Sequence, residues 1–405
     1  MSTLTHEPVR TAPYPSWPQW GPEDLAGLTS VLESGIWSDV NGPAVLAVER
    51  AYAEFTDAKH AVSCSNGTVA ILLVLRAMGI GAGDEVIVPP FTSLATATAV
   101  LEVNALPIFA DIDPDTWCID PDEVEAAITE RTRAIIAVHL GGHSADLERL
   151  GAIAKKHNLF LIEDSAHAHG AKWKDRRVGA IGTVGTWSFQ ASKNLNSGEV
   201  GMVTTDDPIL ADTIQSLRHC GRKKDGPWYN HYMMSGNFRL TEFQATMLYS
   251  QLERYPDQLA TRDANGKYLD GKLSEIDGIE PLIRDPRATV HAYHIYQFRY
   301  SADGFGGMNR ETFIERMRAE GIPTSATYPL PLYKQPLFLD LAFDTKATGY
   351  DPNYAPTDFQ NLYQPVCESV CANGIWIPQT VLLSDRAGID DIVTAIRKIQ
   401  DSARS

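Results

Sequence analysis

Five cysteines in 405 residues, at positions 64, 118, 220, 367 and 371, are too few and too scattered for the disulfide framework of a secreted domain. Reduced thiols are expected. Cys367 and Cys371 stand four apart, a spacing that suits a metal on a helix, but no second ligand pair lies nearby in sequence. No metal site is expected there. Positive charge is also short: 35 Lys and Arg face 51 Asp and Glu, giving a formal net charge of −16 with no basic block. Nucleic acid and anionic membrane surfaces are therefore not expected as partners. No stretch has the uninterrupted apolar length of a membrane span, and Met1 to Trp20 lacks a charged segment followed by an apolar core. These absences suggest a cytoplasmic protein. A Gly-x-Ser-x-Gly elbow is missing too, which removes the main support for a serine hydrolase.

What is present is enough chain for two packed domains and an ordinary globular share of apolar residues, 44%. From Ala61 to about Leu217, short β-branched runs alternate with longer amphipathic stretches. That alternation predicts an α/β domain of parallel strands joined by crossover helices. The clearest strands are Glu85 to Val88, Leu106 to Ala110, Ala134 to His139 and Leu159 to Asp164. Ligands should gather at their carboxyl ends. Thr241 to about Leu273 reads as one long helix bridging two domains, with Phe243, Met247, Leu248 and Leu252 at three- and four-residue steps. Beyond it, Tyr293 to Tyr300 reads as a strand, and Asn309 caps a helix carrying Phe313, Ile314 and Met317 on one face. Ile389, Ile392, Val393, Ile396 and Ile399 form a stripe on the last helix, while Asp303 to Gly307 and Phe343 to Gln360 read as loops. The expected division is a large domain over 1–265 and a smaller C-terminal α+β domain over 266–405.

Three segments carry chemistry. In Ser63-Cys64-Ser65-Asn66-Gly67-Thr68 a strand gives way to the apolar helical run Val69 to Met78. The free N–H groups of such a helix start, with Thr68 and the close approach that Gly67 permits, suit a phosphate, though any strand-to-helix turn looks similar. Asp164 ends an apolar strand and therefore sits at the ligand edge of the sheet, where it is either a helix cap or a ligand to something. The small, turn-forming residues after it, Ser165-Ala166-His167-Ala168-His169-Gly170, leave space for a flat ring. A carboxylate facing a pyridine nitrogen keeps that nitrogen protonated, which makes pyridoxal 5'-phosphate (PLP) an electron sink. Lys193 follows between the strand Trp187 to Phe189 and the strand Val200 to Thr205, where its amine can enter a cleft and Ser188 can reach a phosphate. Most lysines are solvated surface charges, but one buried beside a cationic ring is neutral part of the time, as Schiff-base and proton-transfer work requires.

Other motifs fit less well. Gly79-x-Gly81-x-Gly83 follows a helix and precedes a strand, the reverse of a dinucleotide loop. His139 with His143, and His167 with His169, are spaced to share a metal, but no carboxylate-bearing zinc motif accompanies them. No metal is expected.

Taken together, Asn66-Gly67-Thr68, Glu163-Asp164-Ser165-Ala166-His167-Ala168-His169-Gly170, Ser188-Phe189-Gln190-Ala191-Ser192-Lys193 and Gly236-Asn237-Phe238-Arg239-Leu240-Thr241-Glu242 resemble the sugar and cyclitol aminotransferases of the DegT/StrS type. The resemblance runs from Trp17-Pro18 through His291 to Tyr300 and on to Tyr328-Pro329. It implies a fold type I PLP-dependent transferase, with a mainly parallel sheet in the large domain and homodimeric active sites shared between subunits. It implies further that Lys193 is the Schiff-base lysine and that Asp164 partners the ring nitrogen. Gly67, Thr68 and Ser188 would bind the phosphate, and Asn237 would reach the phosphate in the neighbouring subunit. His167 stands where the family often has Gln, near the cofactor's phenolic oxygen.

The chain departs from the family pattern in three places. Ser93 occupies a position where an aromatic residue is common, which leaves Phe91 as the nearby ring for stacking. Gly198-Glu199-Val200-Gly201 replaces the usual Gly-Glu-Gly-Gly, and Leu341 to Val370 is longer than its counterpart and is expected near the substrate entrance. The resemblance implies transamination from L-glutamate or L-glutamine to a keto-cyclitol or keto-sugar, within aminocyclitol, aminosugar or related antibiotic biosynthesis. Two alternatives stay open. One is dehydration or aromatisation on the same cofactor, although family dehydratases typically carry histidine in place of the lysine. The other is a binding or regulatory protein that has kept the fold and lost turnover.

Overall fold

The computed structural model describes residues 7–38 and 40–404; residues 1–6, part of the span read for a leader, lie outside the described residues. Helices α1 (Pro22–Ser34) and α2 (Pro43–Phe55) lead into β1 (His60–Cys64) and α3 (Gly67–Ala77). There follow β2 (Glu85–Val88), α4 (Leu94–Glu102), β3 (Leu106–Phe109), α5 (Pro121–Ala126), β4 (Thr132–Val138), α6 (Leu147–His157) and β5 (Phe160–Asp164). A small hairpin, β6 (Lys172–Trp173) with β7 (Arg176–Arg177), precedes β8 (Val184–Ser188), β9 (Gly201–Thr205) and α7 (Pro208–Arg218). The large sheet has seven strands in the order β1-β9-β8-β5-β4-β2-β3. The neighbours from β8 to β3 are parallel, as the alternating pattern predicted.

β9 is the exception, antiparallel to both of its neighbours. The cause is local. The segment between β8 and β9 holds no crossover helix, and antiparallel pairing is the pairing that a connection without a crossover allows. It extends the ladder as Phe189 N–H donates to Val200 O at 2.8 Å and Ala191 N–H to Gly198 O at 2.9 Å. Lys193 sits in this closed turn. Val200, one of the departures from the family pattern, is fully buried and its carbonyl takes part in that closure.

The long helix expected from the sequence is α8 (Glu242–Leu273), capped by Thr241, whose hydroxyl accepts from Gln244 N–H. Its early part packs on α1 and α2. Leu248, Leu252, Tyr255 and Leu259 enter the core of the large sheet, whereas Leu269 and Leu273 enter a second core. That second core is built on a four-stranded antiparallel sheet of β10 (Ile279–Pro281), β11 (Ile295–Tyr300), β12 (Ser325–Ala326) and β13 (Gly374–Pro378), in the order β10-β11-β13-β12. Helix α9 (Arg310–Ala319), capped by Asn309, and α12 (Arg386–Arg404) cover it with the apolar stripes read from the sequence.

Residues between the two sheets behave differently from expectation. Helices α10 (Pro336–Leu339) and α11 (Pro365–Asn373) bring Phe338, Phe359 and Cys367 into the core of the large sheet, at its β3 edge. Asp111 accepts from Val366 and Cys367 N–H at 3.0 Å each, and Gln364 Nε2 donates to Phe109 O at 2.6 Å. Leu341 to Val370 thus covers a sheet edge, because its aromatic residues are drawn to Phe109 there.

An N-terminal strap ties the two domains together. Arg10 pairs with Asp391 at 2.8 Å and Tyr14 donates to Gly388 O at 2.9 Å, both in α12. Farther on, Trp17 Nε1 donates to the backbone carbonyl of Lys193 at 3.1 Å. Among the described residues no helix is long and apolar enough to cross a membrane.

Candidate active site

One cavity, of about 510 Å³, opens at the carboxyl ends of β1, β5 and β8, the edge where a mainly parallel sheet presents its ligands. Its walls bring together Gly67, Thr68, Asp164, His167, Ser188 and Lys193, which lie apart in the chain. Asn237 is not among them. It is exposed on a loop, where its side-chain oxygen accepts from Arg239 N–H at 3.2 Å.

The phosphate end is assembled from two strand ends. Asn66 caps α3 by accepting from Val69 N–H at 2.9 Å, so Gly67 and Thr68 begin the helix with N–H groups that have no carbonyl one turn earlier. A Cβ on Gly67 would lie 2.7 Å from Ser188 Cβ, so only glycine lets the helix start press against β8. The result is a cradle of N–H groups and two hydroxyls at the positive end of a helix, which fits a phosphate dianion.

Asp164 is buried and holds two hydrogen bonds, from Thr96 Oγ1 at 2.9 Å and Ala166 N–H at 3.3 Å. Thr96 is buried too and in reach of Thr92 Oγ1 at 3.3 Å. Desolvation raises the carboxyl pKa, and the Thr96 and Ala166 bonds and the charge of Lys193 oppose it only in part. A buried carboxylate in that state is short of a cation, and a protonated ring nitrogen supplies one. Lys193 has the complementary deficit. Burial lowers its pKa to about 8, against the opposing pull of Asp164 and Glu199. Its amine is therefore neutral far more often near neutral pH than that of an exposed lysine, as imine formation requires. These features fit PLP.

His167 lines the cavity, and burial, joined by the charge of Lys193, holds its pKa well below the usual value. It is neutral at physiological pH. His169 faces the other way: its Nε2 donates to Ser188 O at 2.9 Å, and its Nδ1 accepts from Tyr52 OH at 2.7 Å. Both nitrogens of His169 are thus spent, one on the strand that carries Ser188 and the other on α2. His139 donates to Glu163 at 3.0 Å while accepting from Ala145 N–H at 3.1 Å. Among the described residues no cluster of three or more His, Cys, Asp or Glu is arranged to hold a metal.

Two sequence readings need correction or completion. Phe91 does not line the cavity; it is buried among Trp117, Tyr328 and Trp376, with ring centroids 5.4 to 6.4 Å away. Aromatic packing in the core outcompeted exposure to the cavity. Ser93 does line it, exposed at the N-cap of α4. The contributors missed from sequence are Thr96, Gln190 and Glu199. Thr96 lies in a Thr-Ala-Thr-Ala run on a helix, with nothing local to mark it as the partner of a residue 68 positions away.

Residues 18–397 match the profile of the DegT/DnrJ/EryC1/StrS aminotransferase family. A Micromonospora echinospora protein named L-glutamine:2-deoxy-scyllo-inosose aminotransferase is 39% identical, over 97% of this chain and 96% of that protein. A second protein of the same organism, with the provisional name L-glutamine:3-amino-2,3-dideoxy-scyllo-inosose aminotransferase, is also 39% identical, over 99% of this chain and 97% of its own length. Among solved structures, 3-amino-5-hydroxybenzoic acid synthase superposes with a TM-score of 0.87 at 32% identity, covering 97% of this chain and all of that one (100%).

Proposed function

The chain belongs to the DegT/DnrJ/EryC1/StrS aminotransferase family, and from that premise we propose that it uses PLP to move an amino group from L-glutamine or L-glutamate to a ketone on a cyclitol or related sugar. The observation that carries the reading is the shared cavity of Lys193, Asp164 and the α3 cradle. Its cyclitol preference is supported by the two scyllo-inosose aminotransferases, each 39% identical to this chain.

When bound, PLP supplies an aldehyde that exchanges amino groups and a ring that spreads the charge left on a deprotonated carbon. The rest of the chemistry falls to side chains. Gly67 and Thr68 N–H, with the Thr68 and Ser188 hydroxyls, hold the phosphate and fix the ring's position. Asp164, oriented by Thr96 and Ala166, would hold the ring nitrogen and its proton. Lys193 Nζ anchors the cofactor and, once released, takes the proton from the α-carbon of the donor and returns it on the other side of the transfer. His167 would donate a hydrogen bond to the phenolic oxygen.

The site is completed by a second copy of the chain in this reading. Trp20, Leu25, Leu32 and Trp37 are exposed around α1, and Trp228, Tyr229 and Met234 are exposed on the loop that leads to Asn237. So much apolar surface in an acidic chain favours burial against a partner. Sedimentation at micromolar concentration is expected to give a dimer.

A second reading, dehydration or aromatisation on the same cofactor, is favoured by one observation, the TM-score of 0.87 to a 3-amino-5-hydroxybenzoic acid synthase, whose named product is an aromatic amine. Both readings are tested together. The purified protein with PLP should show the visible band of a lysine-linked cofactor, and glutamine should bleach it; Lys193→Ala should lack the band. Mass spectrometry of products from 2-deoxy-scyllo-inosose then separates transfer, which gives an amine on an intact ring, from aromatisation, which removes water. A folded wild type with no lysine-linked band would sink both.

A further inference from the structure

The rings of His167 and His294 are in contact where the large sheet meets the small one, with centroids 4.4 Å apart and planes tilted by 38°. Hydrogen bonds decide which nitrogen of each ring carries the proton. Gly141 N–H donates to His167 Nδ1 at 3.3 Å, so Nδ1 accepts and the proton sits on Nε2. The donor cannot swing away. Gly141 and Gly142 have φ of 64° and 99°, and a Cβ would fall 1.9 Å from Gln297 Oε1 at the first and 2.6 Å from Tyr293 N at the second.

His294 carries its proton on the opposite nitrogen. Asn194 Nδ2 donates to Ala292 O at 2.7 Å, which leaves Asn194 Oδ1 as an acceptor, so His294 Nδ1 must donate to it at 3.1 Å. Asn194 is the neighbour of Lys193 in the chain, so this bond ties the His294 ring to the lysine turn. The Nε2 of His167 has no hydrogen-bond partner among the described residues, and its ring lines the cavity. The titratable groups facing the two rings are Lys193 and His169, together with Arg262 near His294; burial first, and these charges second, keep both imidazoles neutral.

We propose that His294 is a positioning residue: packed against His167 and tied through Asn194 to the lysine turn, it fixes the plane in which the His167 Nε2–H would meet the phenolic oxygen of the cofactor. The role rests on the aminotransferase reading. A ring held on one side by a packed neighbour and at one nitrogen by a rigid N–H has a single direction left for its own donor.

Nitrogen NMR of the full-length protein labelled with isotopic histidine, with His167 identified through a His167→Gln variant, reads the protonated nitrogen without reference to turnover. His167 is expected on Nε2 and His294 on Nδ1, with no titration through the neutral range. His294→Phe keeps a ring but breaks the tie to Asn194. Its visible-band midpoint should move to higher pH, because a phenolate that has lost an aligned donor holds its proton more tightly. Its kcat should fall about tenfold to a hundredfold with the KM for glutamine within about twofold. His294→Gln, which still offers an N–H to Asn194, should recover most of both. If His294→Phe does not fold, Asn194→Ser breaks the same tie from the other side and is read the same way. A wild-type His167 protonated on Nδ1 overturns the proposal, as does a folded tie-breaking variant with unchanged midpoint and kcat. Failure of the wild type to form a lysine-linked band would instead count against the aminotransferase reading and leave the tautomer result standing.

Discussion

Glu163 and Asp164 are adjacent on β5, equally buried, and opposite in every respect that matters to function. Strand alternation sends them to different faces. Glu163 accepts from Gly179 and Gly182 N–H at 2.6 Å each, Ile181 N–H at 2.8 Å and His139 Nε2 at 3.0 Å. These partners outweigh desolvation and lower its pKa. Asp164 has two donors, and desolvation wins, raising its pKa. One carboxylate is a finished structural joint that pins the loop over residues 179–182. The other has two donors only, and in the proposed function it would meet the ring nitrogen of the cofactor. Burial alone therefore says little about a carboxylate; the number of donors aimed at it separates scaffold from site.

The contrast can be broken most severely at the residue opposite Asp164. Lys193→Ala should lower turnover by about 10⁴-fold with little change in melting temperature, since it removes the proton carrier while deleting no core contact. Next in size, Glu163→Gln should cost about 3–5 kcal/mol of stability, seen in thermal or urea unfolding, because an amide meets three backbone donors with one of its own. The sign with pH is fixed by the lowered pKa: the stabilisation from Glu163 is present above its unfolded-state pKa and is lost as pH falls through the folded one, so the penalty of the variant shrinks in acid.

Asp164→Asn should do the reverse. With the folded pKa raised, the ionised carboxylate burdens the cofactor-free protein at neutral pH and is relieved as pH falls. The variant should thus unfold later than wild type at neutral pH without cofactor, lose that advantage in acid, and turn over about a hundredfold more slowly when loaded. A cofactor-free Asp164→Asn protein less stable than wild type would erase the distinction between the two carboxylates. His167→Gln is expected to keep kcat within about tenfold, since the amide still offers a donor. The smallest effect is expected at Ser93→Tyr, which adds a ring to the cavity rim and should slow cofactor loss on dialysis by a few-fold, about 0.5–1.5 kcal/mol of stacking.

Sequence legibility followed the same division. Asp164, Ser188 and the Asn66-Gly67-Thr68 turn could be placed because each sits at a strand end, announced by the apolar run before it, and Lys193 because it lies in the turn between two strands. The length of α8 and the stripe on α12 were visible for a related reason, a period sustained over many residues. Thr96, Phe91 and the 341–370 segment were not legible in this way. What Thr96 does depends on which strand lies beside α4, Phe91 on the competition between a core and a cavity, and the segment on which sheet edge was left uncovered. Those are facts about tertiary neighbours, and no local pattern carries them.

The N-terminal strap has a consequence for how the protein is made. Arg10 and Tyr14 are held by α12, separated from it by 381 and 374 positions respectively, and the same strap delivers the Trp17 indole to the carbonyl of Lys193. On the ribosome residues 10–14 must wait for α12. Until the final helix has emerged, the strap has no anchor and the lysine turn lacks the Trp17 hydrogen bond, so a nascent or truncated polypeptide carries the reactive amine in an unfinished setting.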